Sequence, residues 1–169
     1  MKQIPVVSMK TISVRKLGGW LPLLVLASLL VGCSSTPRAW NIKIKKSPAI
    51  EVDLVGVKER EKPQLEAYSI DKYWSPDDLV RKDADKLCSE IGTNEVWVVS
   101  RKDPKWNTWL NRGVSGLYII ANLPGSFEGS PDPRREYLPL TKSHWDAKKR
   151  TLEVEIQSSR IVILTPEKP

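Results

Sequence analysis

The sequence has few of the side chains on which most enzyme and metal sites depend. Among 169 residues it contains one histidine, His144, and two cysteines, Cys33 and Cys88. A catalytic triad or a histidine and cysteine metal site needs several such side chains that converge in space, and this sequence does not supply them. It also lacks a glycine-rich phosphate-binding loop and a GxSxG motif. We therefore expect a protein that is not an enzyme and that holds neither a metal ion nor a cofactor.

Long apolar runs are also missing, and the one apolar stretch, residues 20–32, is short. It offers about a dozen apolar residues, whereas a helix that crosses ~30 Å of hydrocarbon needs roughly 20. The residues before it carry four positive charges and no acidic side chain: Lys2, Lys10, Arg15 and Lys16. A basic segment followed by a short apolar one is typical of an export signal. We predict that residues 1–32 are a signal peptide.

The apolar run ends in Leu30-Val31-Gly32-Cys33, followed by Ser34. These residues resemble the lipobox of bacterial lipoproteins, although a cysteine after an ordinary signal peptide is the alternative. The resemblance implies cleavage between Gly32 and Cys33, a diacylglyceryl thioether on Cys33 and an acyl chain on the new amino terminus. Two or more such chains hold a protein stably on a bilayer. In a diderm host, Ser34 after the cysteine favours the periplasmic side of the outer membrane.

Removal of the signal peptide leaves a mildly basic chain. Four of the 27 Lys and Arg residues precede Cys33, which leaves 23 against 20 Asp and Glu, a net charge of +3. A nucleic-acid-binding surface is therefore not expected. Cys88 has no partner for an intramolecular disulfide. It follows a helical pattern with Leu79 and Leu87, which favours buried packing over a reactive or intermolecular thiol.

The mature chain suits a lipidated tether, residues 33–39, and a single domain, residues 40–169. Apolar and polar residues alternate or cluster as in strands over 40–46, 50–57, 95–99, 117–121, 136–140, 151–157 and 160–164. Helical patterns start at Pro63, over 76–88 and after Pro104, and residues 123–133 suit a long loop. The pattern predicts a small, mainly antiparallel β-sandwich with short helical insertions.

Pairs of acidic residues are the remaining candidates for a catalytic site, since a glycosidase requires only two carboxylates. Asp77 and Asp78 suit the start of a helix, where acids face its positive end. Asp83 and Asp85 fit a helix face that also carries basic residues. These interpretations leave no acidic pair that indicates catalysis.

Aromatic and basic side chains supply the candidate contacts with a partner. Six tryptophans follow the signal peptide, against a single phenylalanine. Trp106 and Trp109 lie at i and i+3 on a short helix and either fill the core or form an exposed patch, which could bind a protein or stack on envelope glycans. Arg134 and Arg135, beside the proline-rich loop, are either solvated or able to contact an acidic partner or lipid headgroups.

In outline the chain resembles the TssJ (SciN) outer-membrane lipoproteins of type VI secretion systems. The resemblance consists of the lipobox, a strand at 52–57, a helical aromatic segment at 65–74, an apolar strand at 117–121 and a closing hairpin at 152–164. It implies a transthyretin-like sandwich, anchored in the outer membrane, that docks through a loop onto the envelope protein TssM. The sequence thus predicts a non-catalytic docking or scaffold lipoprotein. The alternative is a lipoprotein that binds envelope glycans or another ligand.

Overall fold

The computed structural model describes residues 36–46, 49–92, 95–127, 129 and 131–169. Within these ranges, eight strands form two four-stranded sheets that face each other across an apolar core. This architecture confirms the predicted sandwich, which is mainly β with short helices. The predicted signal peptide lies outside the described residues. In the described part of the chain, no helix is both long enough and apolar enough to cross a membrane.

The first sheet has the strand order β4-β1-β7-β8. Its strands are β1 (Asn41–Lys46), β4 (Val96–Val99), β7 (Thr151–Ile156) and β8 (Ile161–Ile163). The β1–β7 pair is parallel, with Asn41 opposite Thr151, whereas the β1–β4 and β7–β8 pairs are antiparallel. The hairpin of β7 and β8 is the one that the sequence predicted.

Alternation along β1 decides which face of this sheet is buried. Ile42 and Ile44 are fully buried between the sheets. Lys43 lies between them on the outer face, where its Nζ is 3.6 Å from the carboxylate of Glu153 on β7. Successive side chains of a strand point to opposite faces, so one sheet face is apolar and the other is charged.

The second sheet is antiparallel throughout and has the strand order β3-β2-β5-β6. Its strands are β2 (Ile50–Val57), β3 (Lys86–Ile91), β5 (Gly116–Ala121) and β6 (Arg135–Pro139). All six residues of β5 are buried, which agrees with an apolar run that is covered on both faces. Strand β6 lies at the edge, where Pro139 needs no partner for a backbone N–H.

Three short helices cover the outer face of the second sheet: α1 (Lys62–Glu66), α2 (Ile70–Tyr73) and α3 (Leu79–Asp83). We call residues 58–85, which contain them, the helical layer. A second apolar cluster joins Val55 and Val57 of β2 to Leu65, Ile70 and Tyr73 of this layer. Helix α4 (Lys105–Asn111) follows β4, and a 3₁₀ turn over Lys148–Arg150 precedes β7.

The prediction of one helix over residues 76–88 is wrong. Helix α3 starts after Asp78, whose Oδ1 accepts a hydrogen bond from the Arg81 backbone N–H at 2.8 Å. It ends at Asp83, because Ala84 adopts an extended conformation with φ −61° and ψ 134°. The chain then becomes β3, in which Leu87 lies opposite Leu54 of β2. Pairing with β2 satisfies the backbone hydrogen bonds of both strands and outweighs the local helical pattern.

Candidate docking site

The sandwich has two chemically different ends. At the end we call the tether end, Pro37 forms a β-bridge with Thr141, and the Trp40 indole N–H donates to the Leu140 carbonyl at 3.0 Å. The predicted lipidated tether therefore joins the domain here. The parallel pairing of β1 and β7 puts the 3₁₀ turn before β7 at this same end.

The opposite end, which we call the loop end, carries four connections between strands. They join β1 to β2, β3 to β4, β5 to β6 and β7 to β8. The strand registers show that all four connections join strand ends on the side of the sandwich opposite Pro37. The long loop predicted over residues 123–133 lies here.

A groove of about 380 Å³ opens at the loop end along two edge strands. It runs between β6 and β8, where the two sheets come close to each other. A backbone hydrogen bond joins the two segments at the base of the groove, where the Ile161 N–H donates to the Pro133 carbonyl at 2.9 Å. The lining combines apolar side chains with opposite charges, and it includes Pro131, Asp132, Glu136, Arg160 and Val162. This lining could hold an extended segment of a partner protein.

Arg134, a predicted partner contact, instead anchors the long loop from within. Its side chain is only 4% exposed. The guanidinium donates to both carboxylate oxygens of Asp132, at 3.0 and 2.8 Å, and to Asp71 at 2.6 Å. The hydrogen bond to Asp132 is the main cause that raises the pKa of Arg134 above its usual range. The loop is thereby joined to helix α2, and the solvated alternative is wrong.

Arg135, the second predicted contact, ties the second sheet to the helical layer. It is 8% exposed, and it donates to the backbone carbonyls of Leu65 at 2.7 Å and Tyr68 at 2.8 Å and to that of Glu66. These carbonyls lie at the carboxyl end of α1, where backbone acceptors lack partners within the helix. Burial lowers the pKa of Arg135, but an arginine still stays charged at neutral pH. The residue therefore acts as a helix cap within the fold.

Trp106 and Trp109 are enclosed in the main core, with 2% and 0% exposure. Their rings meet edge to face, with centroids 5.2 Å apart. Each indole N–H has a backbone acceptor at 3.0 Å, Ser100 for Trp106 and Asp85 for Trp109. Buried indoles with satisfied N–H groups favour the packing alternative over the exposed patch. We assign neither tryptophan nor the two arginines to a docking surface.

The other tryptophans after the signal peptide do not form a platform for sugars either. Trp40 and Trp145 are buried at 2% exposure, and Trp74 and Trp97 are only partly exposed. Trp74 is covered by the guanidinium of Arg81, which lies 4.0 Å from the ring centroid. Stacking on glycans needs open aromatic faces, so the burial removes the feature that suggested a glycan-binding role.

Asp53 on β2 is a buried carboxylate that the sequence did not predict as a polar contact. Its side chain is fully buried, and Oδ2 accepts hydrogen bonds from Tyr73 Oη at 2.9 Å and from Arg81 Nε at 3.0 Å. Burial is the main cause that raises the pKa of Tyr73 above its usual range, and the neighbouring carboxylate adds to it. Asp53 lies on the opposite face of β2 from Val52 and Leu54. Val55 and Val57 lie on the same face of β2 as Asp53. Two apolar residues on that face were the sequence signal that it is covered by other residues.

Cys88 lies on β3 opposite Asp53, not on a helix. Among the described residues it is a free cysteine, and it is exposed, so the prediction that it packs in the interior is wrong. Partial desolvation and the nearby Asp53 carboxylate raise its pKa to about 11. A thiol with this pKa stays protonated at neutral pH and is a poor nucleophile.

Acidic side chains in the described part of the chain serve structural contacts. Asp78 caps α3, Asp132 binds Arg134, and Asp85 forms ion pairs with Lys105 and Arg112. No group of three or more His, Cys, Asp or Glu residues suited to a metal ion occurs among the described residues. The predicted lipidation and cleavage residues, Cys33 and Gly32, lie outside them.

Comparison with known proteins gives structural neighbours without a family. No family model matches the chain, and no curated protein matches its sequence. One solved structure that resembles this chain is the C-terminal domain of the T6SS protein TssM from EAEC. The alignment covers 74% of this chain and 99% of the TssM chain, with a TM-score of 0.52 and 8% sequence identity. This likeness shows a shared fold.

Two further structures resemble the chain more weakly. The T6SS lipoprotein TssJ1 from Pseudomonas aeruginosa aligns over 79% of this chain and 99% of its own, with a TM-score of 0.48 and 14% identity. Serratia marcescens Lip, a membrane-bound component of the type VI secretion system, aligns over 76% and 97%, with a TM-score of 0.43 and 9% identity. The chain is thus structurally similar to type VI secretion components at low sequence identity.

Proposed function

We propose that this chain is a non-catalytic lipoprotein of the cell envelope that docks a partner protein. More specifically, we propose that it is the outer-membrane anchor of a type VI secretion system and that its partner is a TssM-like protein. One observation carries the proposal: the tether joins one end of the sandwich, and the four strand connections lie at the other. Lipid on Cys33 would hold the first end at the bilayer and leave the second free.

The strand lengths set the distance between the two ends. Strands β1 and β7 each contain six residues. At a rise of about 3.3 Å per residue, such strands hold the loop end roughly 20 Å from the tether end. A rigid domain of this height keeps the loop-end groove clear of the lipid headgroups. Anchoring also raises the local concentration of the docking surface for a partner in the same envelope.

The internal contacts of the long loop support this role. Loop residues that bind a partner lose less conformational freedom when the loop is already ordered. Arg134 and Arg135 provide that order, because they fix the base of the 122–134 loop to α1 and α2. From the sequence, the two arginines were expected to be either solvated or in contact with an acidic partner or lipid headgroups. We infer that they hold the loop that meets the partner.

Replacement of the lipidated cysteine tests the anchor. We expect Cys33→Ser to move the protein from the membrane fraction to the soluble fraction, or to leave it unprocessed. Cys88→Ser is the matched control, because it removes an exposed thiol from a strand edge and should leave fractionation unchanged. A Cys33→Ser protein that stays fully processed and membrane-bound would contradict the anchor.

Site-specific photo-crosslinking in whole cells tests the docking end. A cross-linker at Arg160, in the loop-end groove, should capture an envelope protein, whereas one at Lys148, at the tether end, should not capture that protein. Both side chains are exposed, so neither replacement disturbs the core. Equal capture from both ends, or capture from Lys148 alone, would reject the assignment of the loop end.

A further inference from the structure

Unpaired positive charge is concentrated at the tether end. Six exposed basic residues lie there: Arg101, Lys102, Lys142, Lys148, Arg150 and Lys168. Among the described residues, none of the six forms an ion pair within 4.0 Å of an acidic group. Elsewhere in the described chain, Lys43, Lys45, Lys82 and Arg134 form ion pairs, and exposed basic residues without an ion pair, such as Lys72 and Arg160, are dispersed.

The topology brings these residues together from distant parts of the sequence. Arg101 and Lys102 follow β4, and the Arg101 N–H donates to the Asn41 side chain at the start of β1. Lys148 and Arg150 precede β7, which starts opposite Asn41. Lys168 lies at the same end, because its backbone N–H donates to the backbone carbonyl of His144 at 2.9 Å.

Lys142 and Arg38 complete the surface. Lys142 follows Thr141, the residue that bridges to Pro37 at the base of the tether. Arg38 directly follows Pro37, and its Nε is buried without a hydrogen-bond partner among the described residues.

Few acidic groups oppose these charges at the tether end. Asp103 accepts a hydrogen bond from the Lys105 backbone N–H, and Glu167 lies 3.2 Å from His144. Asp146 is exposed. Glu59, which accepts a hydrogen bond from the Ser115 hydroxyl, and Asp85, which pairs with Lys105 and Arg112, also lie at this end, so acidic groups offset part of its basic charge. The modest net charge of the mature chain is therefore compatible with a local excess of exposed, unpaired basic side chains at the tether end.

We propose that the tether end is a docking surface for the anionic phosphate headgroups of the bilayer that holds the anchor. The inference rests on the proposed lipidation of Cys33, because the tether then sets the distance to the membrane. Only residues 34–36 separate that cysteine from the bridge at Pro37, and the four Cα–Cα steps between Cys33 and Pro37 span at most about 14 Å. Because this is an upper limit, the tether allows the charges to come within the ~8 Å screening length of the lipid surface at physiological salt.

The physical consequence is a fixed orientation of the domain. A lipid chain alone lets a domain tilt freely, whereas basic residues near an anionic surface are attracted to it. Contact through Lys102, Lys148 and Lys168 holds the tether end down and points the loop-end groove away from the bilayer. The charge pattern thus gives the docking site its direction.

Amine footprinting on vesicles tests the surface directly. The native full-length product, purified from membranes, is reconstituted in phosphatidylcholine vesicles or in an equal mixture of phosphatidylcholine and phosphatidylglycerol, and is labelled with an impermeant acetylating reagent. We expect labelling of Lys102, Lys142, Lys148 and Lys168 to fall at least about threefold on the anionic vesicles and to recover in high salt. Lys72 and Lys82, exposed on the helical layer, should label equally on both.

A charge-reversed variant separates contact from a general effect of charge. Lys102→Glu, Lys148→Glu and Lys168→Glu together should abolish the protection of Lys142 on anionic vesicles. The matched control reverses three exposed basic residues away from the tether end, Lys72, Lys82 and Arg160, and should keep that protection. Both variants change only exposed side chains, and their circular dichroism spectra should match that of the native protein.

Specific outcomes decide the inference. Equal labelling of the four lysines on both kinds of vesicle, or equal protection of Lys72 and Lys82, overturns it. Protection by soluble inorganic phosphate without vesicles would assign these charges to a free anion and would also overturn it. The same mass spectra report the state of Cys33. Acylation without protection rejects only the docking surface, and protection without acylation rejects only the anchor.

Discussion

The Asp53 carboxylate on β2 lies 3.0 Å from Nε of Arg81 on α3, and this contact joins the helical layer to the second sheet. Asp53 is fully buried, while Arg81 is 24% exposed. Tyr73 of α2 donates to the same oxygen. One carboxylate therefore fixes two helices. The helical layer has few buried apolar residues of its own, so these polar contacts decide how firmly it packs.

Removal of Arg81 should be strongly destabilising. In Arg81→Ala the Asp53 carboxylate stays buried without its cation, and the free energy of unfolding should fall by about 2–4 kcal/mol. Lys82→Ala, which removes an exposed ion pair on the same helix, should change it by less than about 0.5 kcal/mol. Urea denaturation followed by circular dichroism measures both. Equal effects would show that the Asp53 contact contributes no more than a surface pair.

Arg135 should be nearly as important for the helical layer. Arg135→Ala removes one donor from each of the carbonyls of Leu65, Glu66 and Tyr68, of which Leu65 keeps the Tyr68 backbone N–H, and we expect the free energy of unfolding to fall by about 3 kcal/mol. Hydrogen exchange should accelerate in α1 and α2 before it does in the sheets. Arg160→Ala, an exposed arginine at the loop end, is the control and should be close to neutral. Unchanged exchange in α1 would contradict the capping role.

Close packing of the core against β2 should make Gly56 sensitive to substitution. A Cβ at this position would lie 2.6 Å from the Trp109 ring, which is rigid and fully buried. Gly56→Ala should therefore lower the free energy of unfolding by about 1–3 kcal/mol. Gly92→Ala is the comparison, because there the new Cβ meets only the flexible side chain of Glu95. Thermal denaturation should place Gly56→Ala well below Gly92→Ala in midpoint.

Acid should destabilise the fold through depressed carboxyl pKa values. Burial alone would raise the pKa of Asp85, but hydrogen bonding and charge from Lys105 and Arg112 lower it overall. The same balance, with Arg134, lowers the pKa of Asp132. A carboxyl whose folded pKa lies below its unfolded value of about 3.9 stabilises the protein above that value. This stability is lost as the pH falls toward the folded pKa.

The pH dependence can be measured as denaturation midpoints between pH 7 and pH 3. We expect little change down to about pH 5 and a steep loss below pH 4. Glu136, whose pKa is raised by burial, offsets part of the loss. Asp85→Asn should flatten the curve below pH 4. A midpoint that does not change between pH 5 and pH 3 would refute the contribution of these carboxyl groups.

Local sequence patterns predicted most of the sandwich because its strands alternate or run apolar. Strand β2, the β7–β8 hairpin and the tryptophan-bearing helix α4 all lie where the pattern placed them. The failure at residues 86–91 has a physical cause. That segment carries helical spacing, and only its long-range pairing with β2 makes it a strand.

The polar contacts were less predictable than the strands. Arg134 and Arg135 looked like solvent-facing loop residues, because their acceptors Asp71 and Leu65 lie more than 60 positions away in sequence. The basic tether end was hidden for the same reason, since its residues come from the segments after β4, before β7 and at the carboxyl terminus. The run of basic residues 148–150 and the adjacent pair Arg101 and Lys102 were the local signals.

Mass spectrometry of the amino-terminal peptide, from protein purified out of native membranes, tests the central claim most directly. The account predicts a chain that starts at Cys33 and carries a diacylglyceryl group on its sulfur and an acyl chain on its amino group. A peptide with an unmodified Cys33 thiol, or one that still contains residues 1–32, would contradict it.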